Sequence, residues 1–144
     1  MIVTLTSMFV FVLLVAALLV KRKRERHEME QHSITPEALY TLLAADKEVL
    51  VFDVRQPLDL LANSEIIPGA KRIPPKEVLA NPSLIPKEKD SIVYCTCPSD
   101  KTSREIVHRA LGLHFLRIKI LKGGLAAWKA QGYPLEPYNK PFHL

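Results

Sequence analysis

The chain has 144 residues, two cysteines and a formal net charge of +5. Part of that charge is local, because residues 21–32 carry five basic side chains against three acidic ones. No basic stripe with interleaved aromatic residues is present, so a nucleic-acid partner is not expected. Two cysteines separated by one residue form a poor disulfide framework, which argues against a disulfide-stapled fold. These properties indicate one compact domain with reduced thiols.

The first 20 residues differ from the rest of the chain. They are dominated by Val, Leu, Phe and Ala and contain no charged side chain. Roughly 20 apolar residues, rising about 1.5 Å each, cross a hydrocarbon core of about 30 Å. A cleaved signal peptide is the alternative, but its positive charge would precede the apolar run. Residues 1–20 therefore predict one transmembrane helix, with the protein held in the inner membrane as a single-pass chain.

The basic residues that follow the apolar run predict its orientation. Basic loops stay on the cytoplasmic side of a membrane, so the domain is expected to face the cytoplasm. The same charges suit anionic headgroups, so residues 1–24 are expected to contact membrane lipid. The remaining chain is divided into a basic juxtamembrane linker over 21–32, one domain over 33–138 and a C-terminal tail over 139–144.

The domain begins with a helix and a strand. Thr35 and Pro36 predict a helix start, with threonine as N-cap and proline in the first turn. The continuous apolar run 49–52 is typical of a strand covered on both faces, and Asp53 stands at its end. The prolines between residues 57 and 86 then indicate turns and short helices.

The second half of the domain continues this alternation. Its predicted elements are a strand over 92–94, a helix over 102–112, a strand over 115–121 and a helix that ends at Gly132. Strands that alternate with helices predict an α/β fold, with a parallel sheet flanked by helices. In such sheets functional groups collect at the carboxyl ends of the strands, where Asp53 and Cys95 lie.

Both cysteines lie in the loop between the strand 92–94 and the next helix. Backbone N–H groups and the positive end of the helix dipole converge in such a loop, which favours anions and lowers a cysteine pKa. The position at the strand end favours Cys95 as the nucleophile, whereas the length of the loop favours Cys97. The plain structural alternative is two small buried thiols that are inert. No Cys or His pair stands nearby at ligand spacing, so neither a metal site nor a cofactor is predicted.

Four motifs resemble those of rhodanese-type sulfurtransferase domains. They are Phe-Asp-Val-Arg at 52–55 followed by Ile-Pro-Gly-Ala at 67–70, Val-Tyr-Cys at 93–95, Leu-Lys-Gly-Gly-Leu-Ala-Ala-Trp at 121–128, and Gly-Tyr-Pro at 132–134. The resemblance extends over about residues 33–136 and implies the rhodanese-like α/β fold. It also implies sulfur transfer, in which a cysteine thiolate takes the outer sulfur of a donor such as thiosulfate and passes it to a thiol acceptor.

The resemblance implies roles for residues on either side of the catalytic cysteine. Loop N–H groups and nearby cations would hold the donor. The candidate substrate-binding residues are Lys101, Thr102, Ser103 and Arg104. Asp53 and Arg55 are expected to brace neighbouring loops through charge-assisted hydrogen bonds, or to hold the active loop in register.

The loop after the cysteine departs from the family pattern, which has glycine three positions and arginine five positions after the nucleophile. Counted from Cys95, Pro98 and Asp100 stand at these positions; counted from Cys97, they are Asp100 and Thr102. Pro98 lacks an N–H donor, and Asp100 adds negative charge where a dianion would approach. We therefore expect slow turnover of thiosulfate, or a different sulfur donor.

Two other functions stay open at this point. A non-catalytic rhodanese-like module that binds a partner at the membrane would explain the missing arginine. A thiol redox element, or a phosphatase on a related fold, is less favoured, because neither cysteine has an arginine at the spacing that closes a phosphatase loop.

Overall fold

The computed structural model describes residues 2–96 and 100–141, with side chains from Thr6 onward in the first helix. Its elements in chain order are α1 (Ile2–Gln31), β1 (Ser33–Ile34), α2 (Pro36–Ala44), β2 (Leu50–Asp53), α3 (Pro57–Ala62), β3 (Glu65–Ile66), β4 (Lys71–Arg72), α4 (Pro75–Ala80), a 3-10 turn (Pro82–Leu84), β5 (Ser91–Tyr94), α5 (Lys101–Gly112), β6 (Ile118–Leu121), α6 (Gly124–Ala130) and β7 (Glu136–Pro137). The chain divides into two compact units, Met1–Gln31 and His32–Leu144.

The first unit contains one helix, α1, which runs without interruption from Ile2 to Gln31 and so covers most of the predicted anchor 1–20 and of the predicted linker 21–32. Among the helices formed by described residues, none is long and apolar enough to cross a membrane. The predicted single-pass location in the inner membrane, with the domain facing the cytoplasm, is therefore wrong. The predicted transmembrane helix and the lipid contact through 1–24 are likewise unsupported.

The second unit is built on a five-stranded parallel sheet in the order β1-β6-β5-β2-β4. The central strand β5 pairs with β2 on one side and with β6 on the other. All four residues of β5 are buried, as are the last three of β2. Parallel strands covered on both faces are expected to be continuously apolar, which explains the runs that predicted them. The predicted α/β fold, with a parallel sheet flanked by helices, is confirmed. A separate antiparallel pair joins β3 to β7.

One cluster of the hydrophobic core joins the sheet to helices α2 and α6. Its buried members are Ile34, Leu39, Val51, Ile67, Ile92, Tyr94, Leu121, Leu125 and Trp128. The indole N–H of Trp128 donates to the carbonyl of Pro134 at 2.8 Å, so this large side chain is buried without losing its hydrogen bond. The predicted start of α2 is also observed, because the N–H of Ala38 donates to Oγ1 of Thr35. Thr35 is therefore the N-cap.

The strand β6 begins later than the sequence indicated. The predicted strand 115–121 is observed only as Ile118–Leu121, because α5 ends in a turn that occupies the preceding residues. In that turn His114 has a left-handed backbone (φ 62°), and the N–H of Phe115 donates back to the carbonyl of Ala110. Leu116 is 67% exposed, so this apolar residue, which contributed to the strand prediction, is not buried in the sheet.

One edge of the sheet collects the residues that matter for the site. Asp53 at the end of β2 is the register partner of Tyr94 at the end of β5, so the two residues are neighbours at the carboxyl edge. Cys95 follows directly after Tyr94, and α6 begins shortly after the end of β6. Asp53, Tyr94 and Cys95 therefore lie together at the edge where the strands β2 and β5 end.

Candidate functional site

Cys95 lies at the end of the central strand and is 3% exposed. Its carbonyl oxygen accepts a hydrogen bond of 2.9 Å from the N–H of Leu125 in α6. The approach is so close that a Cβ on Gly124 would lie 2.1 Å from that carbonyl oxygen. Gly124 also has a positive φ of 56°, a backbone conformation in which glycine has no steric penalty. The Gly123–Gly124 turn therefore holds the backbone of Cys95 against the start of α6.

Asp100 connects the start of α5 to the same turn. It is the N-cap of α5 in a left-handed conformation (φ 53°, ψ 26°), which aspartate tolerates better than most residues. Its side chain is buried, and Oδ2 accepts a hydrogen bond of 3.0 Å from the N–H of Gly123. The N–H of Arg104 donates to the main-chain carbonyl of Asp100 at 2.8 Å. Residue 100 thus fixes the helix start relative to the turn that holds Cys95.

Three buried oxygen atoms near these residues have no hydrogen-bond partner among the described parts of the chain. They are Oγ1 of Thr96, Oδ1 of Asp100 and Oγ of Ser103. Buried polar atoms in proteins are normally paired, so these are atoms to which a bound ligand can supply the missing partners.

Burial raises the pKa of Asp100, while the hydrogen bond from Gly123 and the charge of Arg104 act in the opposite direction. A carboxyl whose pKa is higher in the folded state than in the unfolded state binds its proton more tightly when folded. Its contribution to stability is therefore present at low pH and is lost as the pH rises through the folded-state pKa.

The predicted substrate-binding residues occupy the first turn of α5. Ser103 is buried and Thr102 is partly buried, whereas Lys101 and Arg104 are exposed. The first N–H groups of a helix have no intrahelical partner, so this turn offers donors as well as side chains. The predicted alternative nucleophile, Cys97, lies outside the described residues.

Asp53 and Arg55 form a fully buried ion pair beside the cysteine strand. Nε of Arg55 lies 3.0 and 2.9 Å from the two carboxylate oxygens of Asp53. The guanidinium also donates to the carbonyls of Asn63 and Glu65, at 2.7 and 2.9 Å. The guanidinium of Arg55 therefore connects Asp53 to the residue after α3 and to the start of β3.

Tyr94 links this ion pair to the strand that carries Cys95, and sequence reasoning did not identify it. Its hydroxyl donates to Oδ2 of Asp53 at 3.1 Å and accepts from the N–H of Ile67 at 3.3 Å. Burial, together with the nearby charge of Asp53, raises the pKa of Tyr94 above its ordinary value, so the hydroxyl stays protonated and remains a donor. The sequence did contain a signal for this role: a tyrosine lay within a strand predicted to be buried, and a buried hydroxyl needs a hydrogen-bond partner.

Arg72 supports the same strand end from the opposite side. Its Nη1 donates to the main-chain carbonyls of Asp53 and Ile73 at 3.2 and 2.7 Å. Burial lowers the pKa of this guanidinium, and the charge of Asp53 raises it. Arginine stays charged even so, so it is a permanent donor beside Asp53.

These observations define a class before any comparison is made. The protein contains an α/β domain in which a buried cysteine directly follows the central strand, and the next helix along the chain begins at Lys101. The family model described as Rhodanese-like domain matches residues 35–131. The chain belongs to this family, so the resemblance found in its motifs is confirmed.

Individual relatives agree with this assignment. A protein of Allochromatium vinosum named sulfurtransferase is 30% identical over 104 residues, which are 72% of this chain and 94% of the relative. The solution structure of a rhodanese-like domain from an Anabaena protein is 28% identical, with a TM-score of 0.63 over 74% of this chain and 79% of the other.

A more distant structure shows similarity of fold alone. It is a full-length Lactobacillus plantarum protein with 20% identity and a TM-score of 0.68, covering 81% of this chain and 97% of the other. Membership in the family and the similarity to a sulfurtransferase support a sulfur-transfer role at the level of the family.

Proposed function

We propose that this protein is a sulfurtransferase that carries sulfane sulfur as a persulfide on Cys95. The observation that supports this most directly is the position of Cys95. It is buried at the end of β5, its backbone is held by the start of α6, and it is followed by a helix N-terminus. A thiol in such a place is favoured as a thiolate, because helix N–H groups and the dipole stabilise negative charge.

The transfer takes two displacement steps that balance without an outside oxidant. The Cys95 thiolate attacks the outer sulfur of a donor such as thiosulfate. The bond between the two donor sulfurs breaks, its electron pair leaves with sulfite, and a persulfide forms on Cys95. A thiolate acceptor then attacks the outer sulfur of this persulfide, which releases Cys95 as a thiolate again.

The surrounding residues would contribute in different ways. Ser103, whose buried hydroxyl has no hydrogen-bond partner among the described residues, is a candidate donor to the anionic sulfur. Lys101 and Arg104 are exposed cations on the first turn of α5, so they would attract an anionic donor toward the loop. Asp53, Arg55 and Tyr94 would hold the strand end, since their hydrogen bonds link β2, β5 and the segment after α3.

The test is persulfide formation on the intact chain. Incubation with thiosulfate or cysteine persulfide should add one sulfur, about 32 Da by intact mass, and a thiol acceptor should remove it. Cys95→Ser should abolish the adduct, and the matched variant Cys97→Ser should retain it. If the adduct forms in Cys95→Ser and not in Cys97→Ser, the nucleophile is Cys97 and not Cys95.

A non-catalytic binding module is the second candidate, because the family arginine is replaced by a buried carboxylate at Asp100. For this function, neither thiosulfate nor cysteine persulfide should load either cysteine. The same mass measurement therefore separates the two candidates.

A further inference from the structure

Building on the proposed sulfur transfer, we propose that Asp100 determines donor specificity. Its buried carboxylate disfavours thiosulfate and favours a thiol persulfide, a donor whose outer sulfur can carry hydrogen and whose leaving group is a thiolate. Asp100 would act on which donor reaches Cys95.

The position of the carboxylate supports this proposal. A point at the Cβ position of Gly124 lies 2.1 Å from the carbonyl oxygen of Cys95 and 3.5 Å from Oδ1 of Asp100. The carboxylate is therefore close to the backbone of the proposed nucleophile. Its other oxygen, Oδ2, is tied to the N–H of Gly123, and the side chain is 6% exposed. The carboxylate cannot turn toward solvent without breaking that hydrogen bond.

The charge balance at the helix start points the same way. A helix N-terminus has a partial positive charge that ordinarily favours an anion. Asp100 already supplies negative charge there, as the N-cap residue of α5. The cations in the first turn, Lys101 and Arg104, are exposed, so solvent and salt weaken their effect more than they weaken that of a buried carboxylate. A dianion would therefore meet repulsion close to Cys95.

Hydrogen-bond complementarity gives a second, independent reason. Among the described residues, Oδ1 of Asp100 has no partner, and a carboxylate oxygen can only accept. Thiosulfate presents acceptor atoms alone, whereas a neutral thiol persulfide presents an S–H donor. The hydroxyl of Ser103, also buried and unpartnered, can donate to the thiolate that leaves.

The transfer step balances with this donor. The Cys95 thiolate attacks the outer sulfur of R–S–SH, the S–S bond of the donor breaks, and its electron pair leaves with R–S⁻. The products are Cys95–S–SH and a thiolate, so no oxidant or reductant is consumed.

The experiment compares the rates of Cys95 loading from thiosulfate and from cysteine persulfide, followed by mass with the adduct located by peptide mapping. The key variant is Asp100→Asn. Asparagine tolerates a left-handed backbone and keeps an oxygen for the N–H of Gly123, but it removes the charge and adds a donor. We expect the rate of thiosulfate loading to rise about tenfold or more. The variant removes the repulsion between the carboxylate and the dianion, and at close range this repulsion is larger than the free-energy difference that corresponds to a tenfold change in rate. Loading from cysteine persulfide should not rise.

The matched control is Asp46→Asn. Asp46 is an exposed aspartate with nearly the same backbone angle (φ 52°), between α2 and β2, and its replacement should change neither rate. If Asp100→Asn leaves the thiosulfate rate unchanged, the specificity role is wrong while sulfur transfer stands. If wild-type protein loads faster from thiosulfate than from cysteine persulfide, the proposal is overturned without any variant. If neither donor loads Cys95, the proposed function fails and this inference fails with it.

Discussion

At the scale of single residues, the clearest feature is a charge that the fold buries completely. Arg55 has no solvent exposure, and its guanidinium is surrounded by the carboxylate of Asp53 and the carbonyls of Asn63 and Glu65. A planar group with several fixed donors suits this arrangement, which lysine could not reproduce. The buried pair therefore determines where the chain lies after β2, beside the strand that leads to Cys95.

Replacement of Arg55 by methionine should destabilise the protein strongly. The variant Arg55→Met keeps much of the volume but leaves the carboxylate of Asp53 buried without its cation. Loss of one partner from a buried pair costs about 3–5 kcal/mol in the free energy of unfolding. Urea unfolding of both proteins measures the difference.

The control for this variant is Arg117→Met, which removes an arginine from an exposed ion pair with Asp90. Solvent screens such pairs, so its urea midpoint should change little. Similar small shifts for Arg55→Met and Arg117→Met would contradict the importance of the buried pair.

At the scale of elements, the turn between β6 and α6 is the tightest junction near the site. Gly123 and Gly124 both have positive φ, 73° and 56°. A Cβ on Gly123 would lie 2.6 Å from Cβ of Ala127, and one on Gly124 would press on the carbonyl of Cys95. The glycines thus allow α6 to begin directly against the backbone of the proposed nucleophile.

Gly124→Ala should damage both stability and sulfur loading. The added methyl group must displace the backbone of Cys95, because the neighbouring atom is a carbonyl oxygen with no freedom to rotate away. We expect a clearly lower melting temperature and a slower appearance of the persulfide mass. Both quantities can be measured on the same preparation.

Gly69→Ala is the matched control for this prediction. Gly69 has a similar positive φ of 78°, but a Cβ there meets nothing within 4 Å. Its cost should be limited to backbone strain, about 1–2 kcal/mol, with normal loading of Cys95. If Gly124→Ala and Gly69→Ala lower the melting temperature and the loading rate equally, the contact between residue 124 and Cys95 has no role.

At the scale of the whole molecule, the chain consists of a helical unit and an α/β unit. One hydrophobic cluster of buried residues, which runs from Ile34 to Trp128, belongs entirely to the second unit. A unit with its own core can fold by itself.

The fragment His32–Leu144 should therefore unfold in one cooperative transition. Small single domains normally unfold without populated intermediates, so circular dichroism and tryptophan fluorescence should give the same urea midpoint. Trp128 lies in the core and reports its loss. Transitions that differ between the two probes, or a gradual loss of signal, would contradict an independent domain.

The sequence alone was sufficient for the class of fold, and it predicted Cys95 as the nucleophile with Cys97 as the alternative. Continuous apolar runs predicted β2 and β5, because strands buried on both faces have no polar alternation. The position of Cys95 after such a run predicted a thiol at the functional edge of a parallel sheet. The family resemblance inferred from the motifs was confirmed, since the rhodanese-like family model matches residues 35–131.

Other features depended on contacts that local sequence patterns do not contain. Alternating apolar residues predicted a strand from Phe115, but the strand begins only at Ile118, after a turn. The apolar start of the chain predicted a membrane anchor, which the structure does not support. The hydrogen bond from Gly123 to Asp100 joins residues 23 positions apart, and that from Tyr94 to Asp53 joins residues 41 positions apart. Periodicity reports which face of an element is buried, but only the packed chain decides which distant polar groups meet there.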